Sequence, residues 1–289
     1  MRSKRLLATA ALTVTATVCA VGTTSLPAAA STTAENTPLP GGPLIHSSSA
    51  TSSDASTTTT ISLNWSGYAV TGKKPYTYVH STFVQPTITC PGVADQYTSN
   101  WVGLDGYNDQ TVEQDGTAAW CGGANDTTPK YEAWYEMFPA FSANVFKVKP
   151  GDVIDESVKY TGGKFNLTIG DVNSGKHFTI IKPCASCQRA SAEWIIERPA
   201  LCNNTETKCF LTALADYHTA TMGQAQAQVA GGKVKGIGGF NNVPIFMVDP
   251  LNSGGFISLD TVGPLSGPSF EATWDRSGTI TPITLGPRR

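Results

Sequence analysis

The chain has 289 residues and a formal net charge of -2, with 15% charged and 40% hydrophobic residues. That hydrophobic content is enough for a sizeable core. The near-neutral balance lacks the basic excess of a nucleic-acid-binding protein, so we expect no nucleic-acid partner.

The first thirty residues have the pattern of a secretory signal peptide. Basic residues within positions 2–5 precede an apolar run over 6–21 and a small-residue cleavage site at 28–30. A membrane anchor is the alternative, but the run is short and interrupted by threonines, and no later stretch is long enough to span a bilayer. We therefore expect removal of residues 1–30 and a secreted chain with no membrane association.

Residues 31–60 are rich in Ser and Thr and poor in large apolar side chains. Such a segment cannot bury much surface, so we expect a disordered linker or a short propeptide. The folded domain is expected over residues 61–289.

The remaining sequence has the pattern of a β protein. Alternation of apolar and polar residues predicts strands over 79–84, 131–138, 155–160, 165–169 and 177–181. Glycines at 162–163 and within 173–175 predict hairpin turns. The best helical candidate, 210–218, is short. Many short strands with Gly and Pro turns predict an all-β fold, an antiparallel β-sandwich of two packed sheets.

The cysteines support export. Of the seven, Cys19 lies in the expected signal peptide, and six remain. An even number in an exported chain predicts disulfides, although sequence alone does not fix their connectivity. Pairing of sequence neighbours would give Cys90–Cys121, Cys184–Cys187 and Cys202–Cys209. A zinc site formed by the last four of these cysteines is the alternative, which an oxidising compartment disfavours.

Several catalytic signatures are absent from the sequence. There is no Gly-x-Ser-x-Gly nucleophile elbow, no His-Glu-x-x-His zinc motif and no Asp-Thr-Gly or Asp-Ser-Gly of the aspartic proteases. The four histidines are scattered. We expect no metal and no other cofactor.

Two Trp-rich, strand-like segments about eighty residues apart each carry one candidate catalytic side chain. Gln114 lies in the segment 101–116, and Glu197 ends the segment 192–197. A carboxylate can activate a water, and a primary amide beside it can hold an oxyanion. Such a pair can hydrolyse a peptide bond without Ser, Cys or metal.

Period-two alternation places Glu193 and Glu197 on one face of a strand and Trp194 and Ile196 on the other. If the Trp and Ile side chains face the core, both carboxylates face a cleft. Glu193 therefore remains a rival for the role of Glu197.

Four segments, taken in this order, resemble the glutamic peptidases, or eqolisins. They are Asn-Trp-Ser-Gly at 64–67, Trp-Val-Gly-Leu-Asp-Gly running on to Gln-Asp-Gly at 101–116, Glu-Ala-Trp-Tyr-Glu-x-Phe-Pro at 132–139 and Ala-Glu-Trp-Ile-Ile-Glu at 192–197. The resemblance implies a lectin-like (concanavalin-like) sandwich and an acid-active, pepstatin-insensitive endopeptidase. It also implies protein or peptide substrates, and we expect a monomer.

The same resemblance implies that Gln114 and Glu197 are the catalytic pair. Glu197 would take a proton from water as general base, and the Gln114 amide would donate to the oxyanion of the tetrahedral intermediate. A carboxylate has an ordinary pKa near 4, so such a base can work in acid, where a His base is protonated.

The resemblance also implies supporting residues, Trp101 and Asp105 lining or buttressing the cleft and Trp134 and Glu136 contacting substrate. Core packing is the alternative for the two Trp residues, and a turn is the alternative for Asp105.

Other charged residues near the pair carry expectations of their own. Glu113, Asp115 and Glu132 are expected to be solvated carboxylates. Arg198 would lower the pKa of Glu197 if its side chain folded back.

Two other functions are compatible with a Trp-rich sandwich. One is a carbohydrate-binding module, in which exposed aromatic rings stack on sugars. The other is a glycoside hydrolase with two carboxylates, such as Glu136 and Glu197. Gln114 discriminates between them, because only the peptidase gives an amide an essential role.

Overall fold

The structure is a computed structural model that describes residue 45 and residues 59–93, 95–122, 125–202 and 208–283. The expected signal peptide, and most of the segment 31–60, lie outside the described residues. Within them, regular structure is β apart from one turn of 3-10 helix at Ile237–Gly239. No helix in this part of the chain is both long and apolar enough to cross a membrane.

The described residues form twenty-one strands. In chain order they are β1 (Thr60–Ser62), β2 (Trp65–Thr71), β3 (Tyr76–Val84), β4 (Gln96–Leu104), β5 (Val112–Cys121), β6 (Pro129–Phe138), β7 (Ala143–Lys147), β8 (Val153–Thr161), β9 (Lys164–Asp171), β10 (Lys176–Pro183), β11 (Ser191–Glu197), β12 (Ala200–Cys202), β13 (Cys209–Leu211), β14 (Ala213–Leu214), β15 (Thr219–Val229), β16 (Lys235–Gly236), β17 (Asn241–Pro250), β18 (Phe256–Ser258), β19 (Asp260–Val262), β20 (Phe270–Trp274) and β21 (Thr281–Ile283).

Two large sheets dominate the fold. The first, which we call the large sheet, has ten strands in the order β1-β17-β2-β11-β4-β5-β6-β7, with β14 beside β4 and β18 beside β17. The second sheet has eight strands in the order β10-β9-β8-β3-β15-β20-β19, with β16 beside β15. A third, small sheet joins β12, β13 and β21. Pairing is antiparallel except for β1 with β17 and β14 with β4, which confirms the predicted antiparallel sandwich.

The strands that the alternation predicted are all present, each slightly longer than predicted. The two-residue turn between β8 and β9 contains Gly162 and Gly163, both with positive φ. Gly175, also at positive φ, closes the turn between β9 and β10. The helical candidate at 210–218 is wrong, because this stretch contributes to β13 and β14. Its apolar side chains pack against neighbouring strands instead of forming one face of a helix.

The main hydrophobic core lies between the two sheets. In β8 and β9 every second residue is buried in it, including Ile154, Val158, Phe165 and Leu167. By contrast, β4, β5 and β11 are buried almost throughout. These strands have a second apolar cluster on their other face, formed by Trp65, Trp101, Tyr107, Val112, Trp134, Ile195 and others. We call the face of the large sheet that carries this second cluster the outer face.

All six cysteines outside the expected signal peptide are paired as sequence neighbours. Cys90–Cys121, Cys184–Cys187 and Cys202–Cys209 are disulfides, which confirms the predicted disulfides and settles the connectivity that the sequence left open. The alternative zinc site is not formed, because its four cysteines are oxidised.

A substitution at Gly67 is expected to disrupt the large sheet. Gly67 lies in β2 with φ +126°, and a Cβ there would lie 2.2 Å from the carbonyl oxygen of Trp194 on β11. Because backbone cannot move aside cheaply, we expect Gly67→Ala to destabilise the fold by roughly 3 kcal/mol or more.

Thermal and denaturant unfolding would measure this effect, with Gly162→Ala as the matched control. Gly162 also has positive φ, but a Cβ there meets nothing within 4 Å, so only the backbone penalty of about 1–2 kcal/mol applies. Equal losses in the two variants would contradict the close approach of β2 and β11.

Candidate active site

Residues of the two Trp-rich segments, 101–116 and 192–197, meet on the outer face of the large sheet. Strand β11 lies between β2 and β4, and β5 lies between β4 and β6. Trp194 and Ile196 pack in the core between the sheets, whereas Ile195 packs in the outer-face cluster. Alternation along β11 therefore directs Glu193 and Glu197 to the outer face. The same alternation along β5 directs Gln114 to this face.

Gln114 is held by a neighbouring carboxylate. It pairs in register with Gly103 on β4 and with Glu136 on β6. The Nε2 group of Gln114 donates a hydrogen bond to Oε2 of Glu136 at 2.8 Å, and both side chains are fully buried. This bond fixes the orientation of the amide, because only its nitrogen can donate to a carboxylate.

Glu197 accepts hydrogen bonds from two side chains. Nε1 of Trp101 donates to Oε2 at 2.8 Å, and Nδ2 of Asn64 donates to Oε1 at 3.4 Å. Glu197 is 1% exposed. Bonds donated to a carboxylate favour its ionised form.

Trp101 connects the two candidate catalytic residues. A Cβ at Gly103 would lie 2.9 Å from Cζ3 of Trp101 and 3.3 Å from Cβ of Gln114. The indole therefore lies beside Gln114 at one edge, while its nitrogen donates to Glu197 at the other. The Gln-x-Gly motif also has a steric reason, since a Cβ at Gly116 would lie 2.4 Å from Cβ of Trp101.

Of the two glutamates on the outer face of β11, Glu193 is the nearer in register to Gln114. Glu193 and Gln114 both pair with Gly103, from opposite sides of β4. Glu193 is fully buried. Burial raises its pKa well above the ordinary value, and the charges of Asp105, Asp109 and Glu113 raise it further, against a lowering by the Ser191 side chain. Burial therefore favours the neutral form of Glu193 more than that of an exposed carboxyl group.

Trp134 and Asp105 occupy buried positions of different kinds. Trp134 packs in the outer-face cluster, and its Nε1 donates to Oγ of Ser99 at 3.2 Å. Asp105 follows β4 with φ 71°, in the turn that the sequence offered as the alternative. Its carboxylate accepts from the backbone N–H groups of Arg189 and Ala190 at 2.7 and 2.6 Å. Asp105 thus anchors the segment that leads into β11.

The expectation that Glu113 and Asp115 are solvated is wrong. Both are fully buried, because they flank Gln114 in β5 and alternation turns them into the space between the sheets. Burial raises the pKa of both well above the ordinary value. Glu132, in contrast, is partly exposed and accepts a hydrogen bond from Nδ2 of Asn144.

Arg198 does not fold back onto Glu197. Its guanidinium forms a buried ion pair with Asp249, with Nη2 and Oδ1 2.6 Å apart. Its Nε donates to the carbonyl of Leu63 at 2.6 Å, and its backbone N–H donates to the carbonyl of Asn64 at 3.0 Å. Arg198 thus holds the segment that presents Asn64 to Glu197.

The sequence analysis missed the contact between Asn64 and Glu197. Asn64 opens the Asn-Trp-Ser-Gly segment, whose presence was noted without a role for the Asn. A short polar residue ahead of a buried Trp was the available signal. Its partner, 133 residues away, could not be identified without the order of the strands.

Comparison with known proteins identifies the class. Residues 63–247 match the model of the Peptidase A4 family. A crystal structure of scytalido-glutamic peptidase with a transition state analog inhibitor is similar to this fold, with a TM-score of 0.62 and 21% identity over 73% of this chain and 98% of that one. The structure of SCP-B, an eqolisin in complex with the tripeptide Ala-Ile-His, has a TM-score of 0.60, 21% identity and the same coverages. Aspergilloglutamic peptidase from Aspergillus niger has a TM-score of 0.50 and 24% identity over 62% of this chain and 99% of that one.

No curated protein matches the sequence. The family match spans more than half of the chain, and the chain belongs to the Peptidase A4 family. It is a glutamic peptidase of the eqolisin type, and its substrates are proteins or peptides. The predicted family and the β-sandwich fold are thereby confirmed.

Proposed function

We propose that the chain is a secreted, acid-active endopeptidase in which Glu197 is the general base and Gln114 stabilises the oxyanion. The observation that carries this proposal is the arrangement around Trp101. Its indole donates to the Glu197 carboxylate and lies beside Gln114, so both candidate groups border one buried region of the outer face.

The first step assigned to Glu197 is removal of a proton from water. The carboxylate takes the proton as the water oxygen bonds to the scissile carbonyl carbon, and the carbonyl oxygen becomes an oxyanion. Glu197 then returns the proton to the amine as the C–N bond breaks. The donors Trp101 and Asn64 keep the carboxylate in place and support its ionised form.

Gln114 is suited to the oxyanion by its remaining donor. A primary amide carries two N–H groups, and the bond to Glu136 uses one of them. The other can point to the oxyanion without reorganisation, because Glu136 has already fixed the amide plane. A donor prepared in advance stabilises the transition state more than the ground state.

The protonation state distinguishes Glu197 from its rival. A general base must be ionised, and burial among other acids disfavours the ionised form of Glu193. Its register opposite Gln114 therefore does not make it the better base. The Gln114–Glu136 bond likewise weighs against a glycoside hydrolase, because it occupies an oxygen of one of the two carboxylates such an enzyme would use.

Substrate is proposed to lie along Trp101 and Trp134, with Glu136 and Asp105 in supporting roles. Glu136 would orient Gln114, and Asp105 would hold the segment before β11 through Arg189 and Ala190. The proposal includes a monomer and removal of residues 1–30 on export.

Ile45 connects the segment 31–60 with the site. Its backbone N–H donates to Oδ1 of Asn64 at 2.8 Å, and its carbonyl accepts from Leu63 at 2.9 Å. Asn64 is the residue that also donates to Glu197. Because Ile45 binds Oδ1, it leaves Nδ2 of Asn64 directed to Glu197 and supports this orientation of the amide.

The proposal predicts pepstatin-insensitive proteolysis in acid. A chain that begins at Thr59 would be incubated with a denatured protein substrate and pepstatin from about pH 2 to pH 8, and new amino termini would be counted. Cleavage should be fastest in acid. Cleavage confined to neutral or alkaline pH would contradict a carboxylate base.

A further inference from the structure

The Cys184–Cys187 disulfide differs from the other two in the loop it closes. Its cysteines are three positions apart, against 31 for Cys90–Cys121 and 7 for Cys202–Cys209. A disulfide stabilises a fold in part by restricting the unfolded chain, and the restriction is smallest for the shortest loop. Both sulfurs belong to partly exposed residues between β10 and β11. The Cys-x-x-Cys spacing is also the one that lowers thiol pKa in exchange-active pairs.

A buried carboxyl group lies directly beneath this disulfide. One carboxyl oxygen of Glu113 and the two sulfurs all lie within 4.8 Å of one another. Glu113 is fully buried, and among the described residues neither of its carboxyl oxygens has a hydrogen-bond partner. The proposed peptidase mechanism gives Glu113 no role.

The surroundings of Glu113 favour its protonated form. Burial raises its pKa well above the ordinary value, Asp105 and Asp109 raise it further, and the Thr111 hydroxyl opposes them. Glu193 is a further acid of the same group. Glu113 thus holds its proton more tightly than an exposed carboxyl group would, beside the two sulfur atoms.

The disulfide is accessible from one side. It forms part of the wall of an open groove of about 460 Å³. Lys182 and Phe141 also line this groove, and Phe141 is 56% exposed. A small dithiol, or a thiol on an extended segment of another protein, can therefore reach the sulfurs while the core stays folded.

We propose that Cys184–Cys187 is a thiol–disulfide exchange site that an external dithiol reduces, with Glu113 as the proton donor to the leaving sulfur. This activity is independent of the proposed peptidase chemistry, because it uses neither Gln114 nor Glu197.

The exchange can be written with all atoms and electrons accounted for. One thiolate of the dithiol attacks Sγ of Cys187, the S–S bond breaks, and Cys184 leaves as a thiolate. Ser186 favours this direction, since its hydroxyl lies 3.6 Å from Sγ of Cys184 and can donate to it. Glu113 passes its proton to that thiolate and becomes a carboxylate.

The second thiol of the reductant completes the reaction. It gives its proton to the Glu113 carboxylate and attacks the mixed disulfide, and Cys187 leaves as a thiolate that takes a proton from solvent. The two cysteines are thereby reduced, and the dithiol is oxidised to its own disulfide.

The test compares the three disulfides within one molecule. The full exported chain would be treated with graded dithiothreitol, quenched with acid and alkylated, and each cysteine pair would be followed by peptide mass spectrometry. We expect Cys184–Cys187 to be reduced at least 100-fold faster than the other two pairs. Reduction of all three together, as on unfolding, would overturn the proposal.

Two variants test the role of Glu113. Glu113→Gln removes the proton donor with little change of shape, and we expect at least a 10-fold slower reduction of Cys184–Cys187. Glu156→Gln is the matched control, a buried carboxyl on the second sheet, and should react at the wild-type rate. An unchanged rate in Glu113→Gln would remove Glu113 from the mechanism.

Unfolding of Glu113→Gln would be revealed by faster reduction of Cys90–Cys121 in the same molecule. A third variant keeps the proposal testable in that case. Cys184→Ser leaves Cys187 without its partner, so this variant should accumulate a stable mixed disulfide when treated with the disulfide of a monothiol, such as oxidised glutathione. No adduct at Cys187 would overturn the assignment of the attacked sulfur.

Discussion

The Glu197→Gln variant is expected to lose at least about 10³-fold in kcat/KM, since an amide cannot accept the proton of the attacking water. The Gln114→Ala variant should lose about 10²–10³-fold, the usual effect of removing one oxyanion donor. The loss in Gln114→Ala should appear mainly in kcat, because the oxyanion exists only after bond formation. Hydrolysis of an internally quenched peptide in acid would measure both.

The matched control is Glu193→Gln. Glu193 shares a strand, a face and complete burial with Glu197, so the two substitutions perturb the fold in comparable ways. Because burial disfavours the ionised form of Glu193, we expect its amide variant to keep most of the activity. If Glu193→Gln were inactive and Glu197→Gln active, the base would have to be reassigned.

Glu136 provides a test of how Gln114 is positioned. If Glu136 acts by fixing the amide of Gln114 through their 2.8 Å bond, then Glu136→Gln should reduce kcat in the wild type. The same change should have little further effect once Gln114 is Ala. Such non-additivity is typical of residues that act as one unit. Independent, additive losses would indicate that Glu136 contacts substrate by itself.

Much of the fold was predictable because short stretches of sequence specify its strands and turns. Alternation over 153–161 and 164–171, with Gly162 and Gly163 between them, is enough to specify a hairpin. The local disulfide pairs follow from proximity along the chain. The stretch 210–218 was harder, since its strands β13 and β14 pair with β21 and β4, which are distant in sequence.

The candidate site was predictable only in part. Motif resemblance selected Gln114 and Glu197, but it could not indicate that Asp105 would bind the backbone of residues 189–190. Nor could it indicate that Arg198 would pair with Asp249 in place of Glu197. These partners depend on which strands become neighbours, and strand order is decided by packing of the whole sandwich.

The buried carboxyl groups were missed for a physical reason. Glu and Asp are almost never fully buried unless they are paired, so Glu113 and Asp115 were assigned to solvent. Side chains alternate along a strand, so Glu113 and Asp115 must face the second sheet if Gln114 faces outward. A protonated carboxyl group is far cheaper to bury than an ionised one, and an enzyme that works in acid can use this difference.

Stability is expected to be highest in acid and to fall as the pH rises. Burial raises the pKa of Asp115, Glu156, Glu113 and Glu193 well above the ordinary value. For Asp260 burial raises it to about 7, against hydrogen bonds from Ser66 and Tyr217 that lower it. In the fold these groups keep protons that the unfolded chain releases near pH 4.

The direction of the effect follows from proton linkage. Between the unfolded and the folded pKa the native state binds more protons, so the free energy of unfolding decreases with pH, by up to about 1.4 kcal/mol per pH unit for each group. The contribution is fully present below about pH 4 and is lost as the pH rises through the folded pKa. For Asp260 alone the loss by pH 7 is roughly 4 kcal/mol, a large part of the stability of a typical domain.

Chemical unfolding at intervals from pH 3 to pH 8 would measure this decline. Glu156→Gln should make the decline of stability with pH less steep, since the amide keeps the shape of the protonated acid but cannot ionise. This variant should therefore be more stable than the wild type near neutral pH. Glu271→Gln, at an exposed position of β20, is the matched control and should leave the curve unchanged. A wild type that is more stable at pH 7 than at pH 4 would show that the buried acids are not neutral in the fold. Burial would then give no reason to reject Glu193 as the general base. The measurement therefore also tests the assignment of Glu197.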